Sequence, residues 1–253
     1  MNQADPSHGA RTTAEVMASP IASFIEQSFF SVAVTRVQMD RLWRKGWRHF
    51  GPYFVRYSIS AETGEQRVVQ PLRLALDRFH PSKTHRRLLR RNADLEVRIG
   101  PVTLDQFRHG MFDRHKRRFT ANIPQSLYDF LGPDPRLYPC ELVEVGVYED
   151  GRLLAASYLD IGREGASGVY AMFEPADGQR ALGIHTMLLE IEYARRRGCR
   201  YYYPGYAFHE PSLLDYKKQF VGTEWFDWQG TWLPLAGREG GPRAGSRGDG
   251  GAS

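Results

Sequence analysis

Apolar residues at helical spacing mark the first structured part of the chain. Within residues 37–47, Met39, Leu42 and Trp43 occupy the i, i+3 and i+4 positions of one helix face, and Gly46 provides a stop signal. This spacing predicts a short helix with one apolar face.

Two β-rich segments follow this helix. Residues 53–59 and 67–76 are rich in aromatic and β-branched residues, and the polar sequence AETGEQ between them is typical of a turn. Together with the helix, they predict a small α+β unit over residues 21–80.

A strand-rich pattern occupies residues 141–171. The segments ELVEVGVY, RLLAASYLDI and SGVYAMF are each typical of a strand, and the sequence EDG between the first two is typical of a turn. These segments predict an antiparallel meander.

A long helix is predicted after the meander. In residues 179–197, Leu182, Leu188 and Ile191 lie at helical spacing, and Gly198 ends the pattern. Residues 199–203 again favour a strand. The order strand, strand, strand, helix, strand predicts an α+β domain, which we place at residues 81–236.

The two ends of the chain lack such patterns. Residues 1–20 are polar, and residues 237–253 are Gly-rich with little apolar surface, so we expect both to be disordered. No apolar run approaches the roughly 20 residues needed to cross a bilayer. The two cysteines, Cys140 and Cys199, show no metal-binding spacing, which favours a soluble, reduced, cytoplasmic protein with no metal site. The formal net charge of +5 permits a polyanionic partner.

Several ordered blocks resemble a known family. They are RKGWRHFGPYFVRYS at 44–58, SKTHRRLLRRNADLEV at 82–97, GRLLAASYLDIG at 151–162, GVYAMFEP at 168–175, ALGIHTMLLEIEYARRRG at 181–198, YYYPGY at 201–206 and DYKKQF at 215–220. In this order they are similar to the arginyl-tRNA-protein transferases and the bacterial aspartate/glutamate leucyltransferases, the aminoacyl transferases of the N-end rule. The resemblance spans residues 37–232.

The resemblance implies a GNAT-like acyltransferase fold, with a mixed, mostly antiparallel sheet flanked by helices. It also implies transfer of arginine or leucine from charged tRNA, the co-substrate, to the N-terminal amine of an acceptor protein. The family's N-terminal cysteine cluster is absent here, so we expect a transferase without a metal cofactor.

Candidate catalytic residues follow from the chemistry. An aminoacyl ester is already activated, so transfer to an amine needs orientation, a neutral amine and hydrogen-bond donors for the oxyanion rather than an enzymatic nucleophile. The polar residues expected at one end of the sheet are Tyr206, Glu174, Tyr203 and His185. The alternative is structural: tyrosines with satisfied hydroxyls, a loop carboxylate and a packed histidine.

Candidate substrate-binding residues come from two blocks. Lys217 could hold a phosphate or a carboxylate, and Gly205 could allow close approach of a ligand. Arg48 and Arg56 could bind an acidic acceptor side chain, although basic residues among aromatics often only extend towards solvent.

A basic helix is the candidate tRNA site. Residues 81–92 and 103–119 predict helices, each with a block of basic residues. In the first, helical spacing groups the candidate phosphate-binding residues Lys83, Arg86, Arg87, Arg90 and Arg91. Charge alone equally fits a solvated helix face.

Two other functions compete with aminoacyl transfer to proteins. One is a GNAT-type acyltransferase that uses acyl-CoA or modifies a small molecule or peptide, although residues 179–184 only partly match the Gly-rich pyrophosphate loop of such enzymes. The other is a non-catalytic tRNA-binding relative.

Overall fold

The computed structural model describes residues 24–61, 65–119, 123–132, 134 and 138–235. Within these residues the protein is an α+β structure built on one large sheet. None of its described helices is both long and apolar enough to cross a membrane. The predicted disordered ends, residues 1–20 and 237–253, lie outside the described residues.

The large sheet has nine strands and is mostly antiparallel. The strands are β4 (Ile59–Ser60), β5 (Arg67–Ala75), β6 (Glu96–Gly100), β7 (Glu141–Glu149), β8 (Arg152–Ile161), β9 (Gly165–Phe173), β10 (Tyr201–Phe208), β11 (Thr223–Phe226) and β12 (Trp232–Pro234). Their order in the sheet is β12-β11-β5-β10-β9-β8-β7-β6, and β4 pairs with β5. Among the described strands of this sheet, only β9 and β10 pair in parallel.

A second, smaller sheet precedes it. The order is β1-β3-β2, all antiparallel, with β1 (Glu26–Phe30), β2 (Arg48–Phe50) and β3 (Tyr53–Tyr57). The predicted boundary at residue 80 does not separate the two sheets, because β5 pairs with β10 and β11 in the middle of the large sheet. Sequence alone could not assign β5, since its partners lie more than a hundred residues further along the chain.

The described residues form five α-helices, namely α1 (Arg36–Arg44), α2 (Lys83–Arg91), α3 (Gln106–Lys116), α4 (Tyr128–Leu131) and α5 (Leu182–Arg196). The first three begin at side-chain caps: Thr35 and Gln38 form a capping box at α1, Ser82 and His85 form one at α2, and Asp105 accepts a hydrogen bond from a backbone N–H of α3.

The core lies on both faces of the large sheet. Successive residues of a strand point to opposite faces, and in β8 Leu159 joins the cluster packed under α5, whereas Tyr158 joins the cluster packed under α3 and α4. Both side chains are fully buried. The predicted fold, a mostly antiparallel sheet flanked by helices, is therefore confirmed.

The start of α5 differs from the prediction. The apolar pattern predicts a helix from residue 179, but Pro175–Arg180 form a 3₁₀ helix and Ala181 has φ +48°. The chain therefore turns sharply before α5 begins at Leu182. This turn places the first half of α5 against β9.

Candidate functional site

The parallel strands β9 and β10 separate soon after they begin. They pair at three positions, the last of which joins Tyr203 to Ser167. β10 then changes its register with β5 between Tyr202 and Gly205. The separation opens a cavity of about 700 Å³ between the second half of β9, the first half of α5 and residues 213–217.

Arg48 of β2 occupies the point where the strands separate. Its Nη1 donates to Ser167 Oγ at 2.6 Å, and its Nη2 donates to the Gly168 carbonyl oxygen at 2.8 Å. Gly205 faces the same guanidinium: its φ is +95°, and a Cβ built there would lie 3.2 Å from Arg48 Cζ. Glycine is therefore needed at 205 both for the backbone conformation and for space.

A buried carboxyl lines the cavity. Glu190 of α5 is only 3% exposed, and Tyr202 Oη donates to its Oε2 at 2.5 Å. A Cβ at Gly168 would lie 3.0 Å from that Oε2 and 2.9 Å from Tyr202 Oη, so β9 needs a glycine opposite this pair. Burial raises the pKa of Glu190 to about 7, against the opposing effect of the Tyr202 hydrogen bond.

A lysine amine reaches the same cavity from the 3₁₀ helix Asp215–Gln219. Lys217 Nζ donates to the Tyr206 carbonyl oxygen at 3.1 Å. Removal from water and repulsion by Arg48 lower the pKa of Lys217 to about 7, although attraction to Glu190 opposes this shift. The cavity thus contains one acid and one base that both titrate near neutral pH.

The remaining walls of the cavity are largely apolar, with a cation at the edge. Apolar side chains from β9, α5 and the segment before β11 line it, among them Val169, Ile184, Met187 and Leu214. Arg118 lines it as well, and its exposed guanidinium lies 4.4 Å from the Phe173 ring centroid. Such an enclosure can exclude water from an acyl group while a cation binds an anionic part of the same ligand.

Comparisons with known proteins fit this architecture. Residues 104–227 match the family described as Arginine-tRNA-protein transferase, C terminus. The aspartate/glutamate leucyltransferase of Halorhodospira halophila is 31% identical over 196 residues, which cover 75% of this chain and 80% of that protein. The chain belongs to this family.

Two further comparisons set the extent of the similarity. The aspartate/glutamate leucyltransferase of Stenotrophomonas maltophilia is 32% identical over 171 residues, 62% of this chain and 65% of that protein. A GCN5-related glucosamine N-acetyltransferase region of a fungal multi-domain β-N-acetylglucosaminidase is similar in structure, with 14% identity and a TM-score of 0.43 over 74% of this chain and 21% of that chain. The predicted family is confirmed, and its enzyme class is that of the aminoacyltransferases.

The structure brings together three of the four residues that the sequence predicts to bind substrate. Arg48, Gly205 and Lys217 lie close together where β9 and β10 separate. Arg56 lies elsewhere: its Nε donates to Gln27 Oε1 at 2.8 Å, its Nη1 donates to a backbone carbonyl at 3.1 Å, and its Cζ lies 5.1 Å from the Trp47 ring centroid. These contacts tie the small sheet to the end of α1.

The predicted catalytic tyrosines lie behind the cavity rather than in it. Tyr206 Oη donates to the Gly46 carbonyl oxygen at 2.6 Å, and Tyr203 packs against the rings of Trp43 and Trp232. In the described residues, the β10 side chains that line the cavity are Tyr202 and Pro204. The YYYPGY sequence has tyrosines on both faces of the strand, and Tyr203 and Tyr206 lie on the face turned away from this cavity.

Glu174 and His185 also have other surroundings. Glu174 receives two hydrogen bonds from the Arg114 guanidinium, at 2.9 and 2.5 Å, which join the end of β9 to α3. His185 is buried, neither of its ring nitrogens has a hydrogen-bond partner in the described residues, and burial lowers its pKa to about 4. The described lining of the cavity includes neither side chain.

Sequence reasoning missed Glu190 and Tyr202. The signal for Glu190 was present, because a carboxylate interrupts the apolar face of α5 between Met187 and Ala194, both buried. A buried carboxyl on a helix face requires a partner. That partner, Tyr202, comes from a different element and is not visible in the helix pattern.

The basic helix α2 lies beside the turn that leads to the cavity. Leu88 and His85 face the core, whereas the predicted phosphate-binding residues are all exposed: Lys83, Arg86, Arg87, Arg90 and Arg91. Arg91 donates to the Gln179 carbonyl oxygen, and the adjacent Gly178 lines the cavity. The exposed positive charge therefore begins next to the cavity edge.

A polar cluster on β8 and the small sheet offers the only candidate metal ligands among the described residues. Ligand atoms of His49, Cys140 and Asp160 lie within 4.8 Å of one another. His49 Nε2 is 2.8 Å from Asp160 Oδ2, and His49 Nδ1 is 2.8 Å from the Gly51 carbonyl oxygen. These two contacts are direct hydrogen bonds, and the first of them joins β2 to β8.

Proposed function

We propose that this protein transfers an aminoacyl group, leucine in preference to arginine, from charged tRNA to the N-terminal amine of an acceptor protein. The cavity between β9 and β10 is the observation that carries the proposal. Arg48 keeps it open, and it contains Glu190 and Lys217.

Leucine is favoured by two features. The relatives at about 30% identity are named leucyltransferases, and the cavity walls are mainly apolar, as an apolar acyl side chain requires. An arginyl group would bring a guanidinium into a cavity whose lining already includes the cations Lys217 and Arg118.

Charge supports the tRNA donor. The exposed basic residues of α2 begin at Arg91, which contacts Gln179 beside the cavity-lining Gly178, and the exposed Arg118 lines the cavity itself, so both can bind phosphate groups near the 3′ end. We propose that the protein acts in the cytoplasm and that aminoacyl-tRNA is its only co-substrate, without a bound metal or cofactor.

An acyl-CoA donor is less well supported. The basic residue of the candidate pyrophosphate loop, Arg180, forms ion pairs with Asp94 at 2.9 Å and with Glu149 at 2.6 Å. The Arg180 guanidinium is therefore already paired with two carboxylates at the start of α5, where an acyl-CoA donor would need it to bind the pyrophosphate.

The test is transfer of labelled leucine or arginine from purified charged tRNA to peptides that begin with Asp, Glu or Ala. Lys217→Met should reduce transfer, and the matched control Lys218→Met should not, because Lys218 Nζ is paired with Asp215 at 2.9 Å and does not line the cavity. Label on an Asp or Glu peptide from leucyl-tRNA supports the proposal.

Two outcomes would contradict the proposed aminoacyl transfer and favour a different function. Binding of tRNA without label from either donor would indicate a non-catalytic relative. A thermal shift with acetyl-CoA, together with acetylation of the same peptides, would indicate a CoA-dependent enzyme.

A further inference from the structure

Aminoacyl transfer requires that the acceptor lose a proton. The α-amine of a protein has a pKa near 8 and is mostly an ammonium ion at neutral pH, in which form it has no lone pair for attack. A base beside the bound amine removes this barrier, and a positioned base contributes roughly 10²–10⁴-fold to such reactions.

Glu190 has the position that a base requires. It lines the cavity, it is buried, and Tyr202 Oη donates a hydrogen bond to its Oε2. Gly168 supplies the space that the carboxyl and the tyrosine share. This arrangement fixes the orientation of the carboxylate, as a base must be fixed before the amine binds.

We propose that Glu190 is the general base of the transfer reaction, an inference that rests on the proposed function. The Glu190 carboxylate takes one proton from the acceptor ammonium. The free amine attacks the ester carbonyl carbon, the carbonyl electron pair moves onto oxygen, and the C–N bond forms. The intermediate collapses as the bond to the ribose oxygen breaks. The proton held by Glu190 passes to that leaving oxygen, while the second amine proton is released to water.

Lys217 has a separate task in this scheme. Its Nζ lies in the same cavity, where a donor can hydrogen-bond the oxyanion of the intermediate. The pKa of Glu190, raised by burial to about 7, keeps the carboxyl near the point at which it can both accept and return a proton.

Glu190 could instead bind the α-ammonium of the leucyl group on the donor. The two roles differ in a measurable way. A base acts on the acceptor, so removing it should slow transfer with every donor. A carboxylate that binds the donor ammonium should have no effect on the rate when the donor has no amine.

The variants are Glu190→Gln and a matched control on the same helix, Glu192→Gln. Glu192 is half-buried and pairs with Arg196 at 3.0 Å, and it does not line the cavity. The amide keeps an oxygen that can accept the Tyr202 hydrogen bond, so Glu190→Gln should remain folded, and its melting temperature is measured beside that of the wild type. We expect Glu190→Gln to lower kcat about 10²–10⁴-fold and Glu192→Gln to leave it unchanged.

Two altered substrates identify the role. The first is hydroxyacyl-tRNA, made by replacing the leucyl amine by a hydroxyl. With this donor the Glu190→Gln loss should persist at the same size. The second is an acceptor peptide whose N-terminal amine is replaced by an aminooxy group, which is already unprotonated at pH 7. With this acceptor the loss should shrink to less than about tenfold, because no proton needs to be removed beforehand.

The pH dependence gives an independent check. In the wild type, ionisation of Glu190 should give kcat a limb that rises with pH through about 7, and the Glu190→Gln variant should lack this rising limb but keep the falling limb that loss of the Lys217 proton produces. A Glu190→Gln loss that disappears with the hydroxyacyl donor, or that stays equally large with the aminooxy acceptor, would overturn the proposal. So would an unchanged kcat in a folded Glu190→Gln variant. Absence of transfer by the wild type overturns the proposed function instead.

Discussion

A comparison of two glycine substitutions distinguishes the cost of backbone strain from the cost of disturbing Arg48. We consider Gly205→Ala beside Gly230→Ala, because both glycines have positive φ, +95° and +112°. A Cβ at Gly230 has no neighbouring atom within 4 Å, whereas one at Gly205 would lie 3.2 Å from Arg48 Cζ. Gly230→Ala therefore tests the backbone conformation alone, and Gly205→Ala tests the conformation and the contact with Arg48 together.

The magnitudes follow from these contacts. An alanine in such a conformation costs about 1–3 kcal/mol at either site. At Gly205 the Arg48 guanidinium must also shift by a few tenths of an ångström, which strains its hydrogen bonds to Ser167 and Gly168. Denaturant unfolding should show Gly205→Ala to be the more destabilising, by about 1.5–3 kcal/mol when one of these bonds breaks, and the labelled-leucine assay should show reduced transfer in that variant alone.

A double variant tests whether the contact with Arg48 causes the loss of transfer in Gly205→Ala. If the clash with Arg48 is the cause, then Arg48→Ala combined with Gly205→Ala should transfer leucine as slowly as Arg48→Ala alone, since contacting residues are not additive. The reasoning would be refuted if the two glycine variants lost equal stability and Gly205→Ala kept full transfer.

Three other predictions concern residues around the cavity. Burial lowers the folded-state pKa of His185 from 6.5 to about 4, so the unfolded chain binds the proton at a higher pH than the folded chain does. The free energy of unfolding should therefore fall as pH drops from 6.5 to 4. His185→Leu should reduce this dependence of the free energy of unfolding on pH, measured by urea titrations. Arg87→Ala should weaken tRNA binding and lower the slope of log affinity against log salt by about one, measured by filter binding at several salt concentrations. Tyr206→Phe should lose about 1–3 kcal/mol of stability, because the buried Gly46 carbonyl loses its hydrogen-bond donor, but its transfer rate should not change. Tyr202→Phe should slow transfer, because Glu190 loses the hydrogen bond from Tyr202.

Much of the fold follows from local pattern, and the site follows only in part. The meander and α5 are visible as periodicity because each element buries one face against its neighbours. The separation of β9 and β10 is not visible, since it depends on Arg48, which lies 119 residues before Ser167. Glu190 could have been noticed as a carboxylate on an apolar helix face.

The tyrosines show why sequence alone could not select the cavity-facing residue. A strand gives each face every second residue, which would put Tyr202 and Tyr206 on the same face. The register shift between Tyr202 and Gly205 changes this alternation, and no sequence pattern reveals it. Tyr202 faces the cavity, whereas Tyr206 completes a hydrogen bond on the other face.

The short strand β2 has a consequence for how the enzyme assembles. Its residue Arg48 reaches the opening between β9 and β10, and its residue His49 bonds to Asp160 of β8. β2 lies outside residues 104–227, the part that matches the family. During synthesis β2 leaves the ribosome long before either partner strand exists, so the cavity cannot reach its final shape until β8 and β9 have been made. Substitutions in this amino-terminal strand should therefore appear in screens as losses of catalysis, far in sequence from the residues that contact substrate.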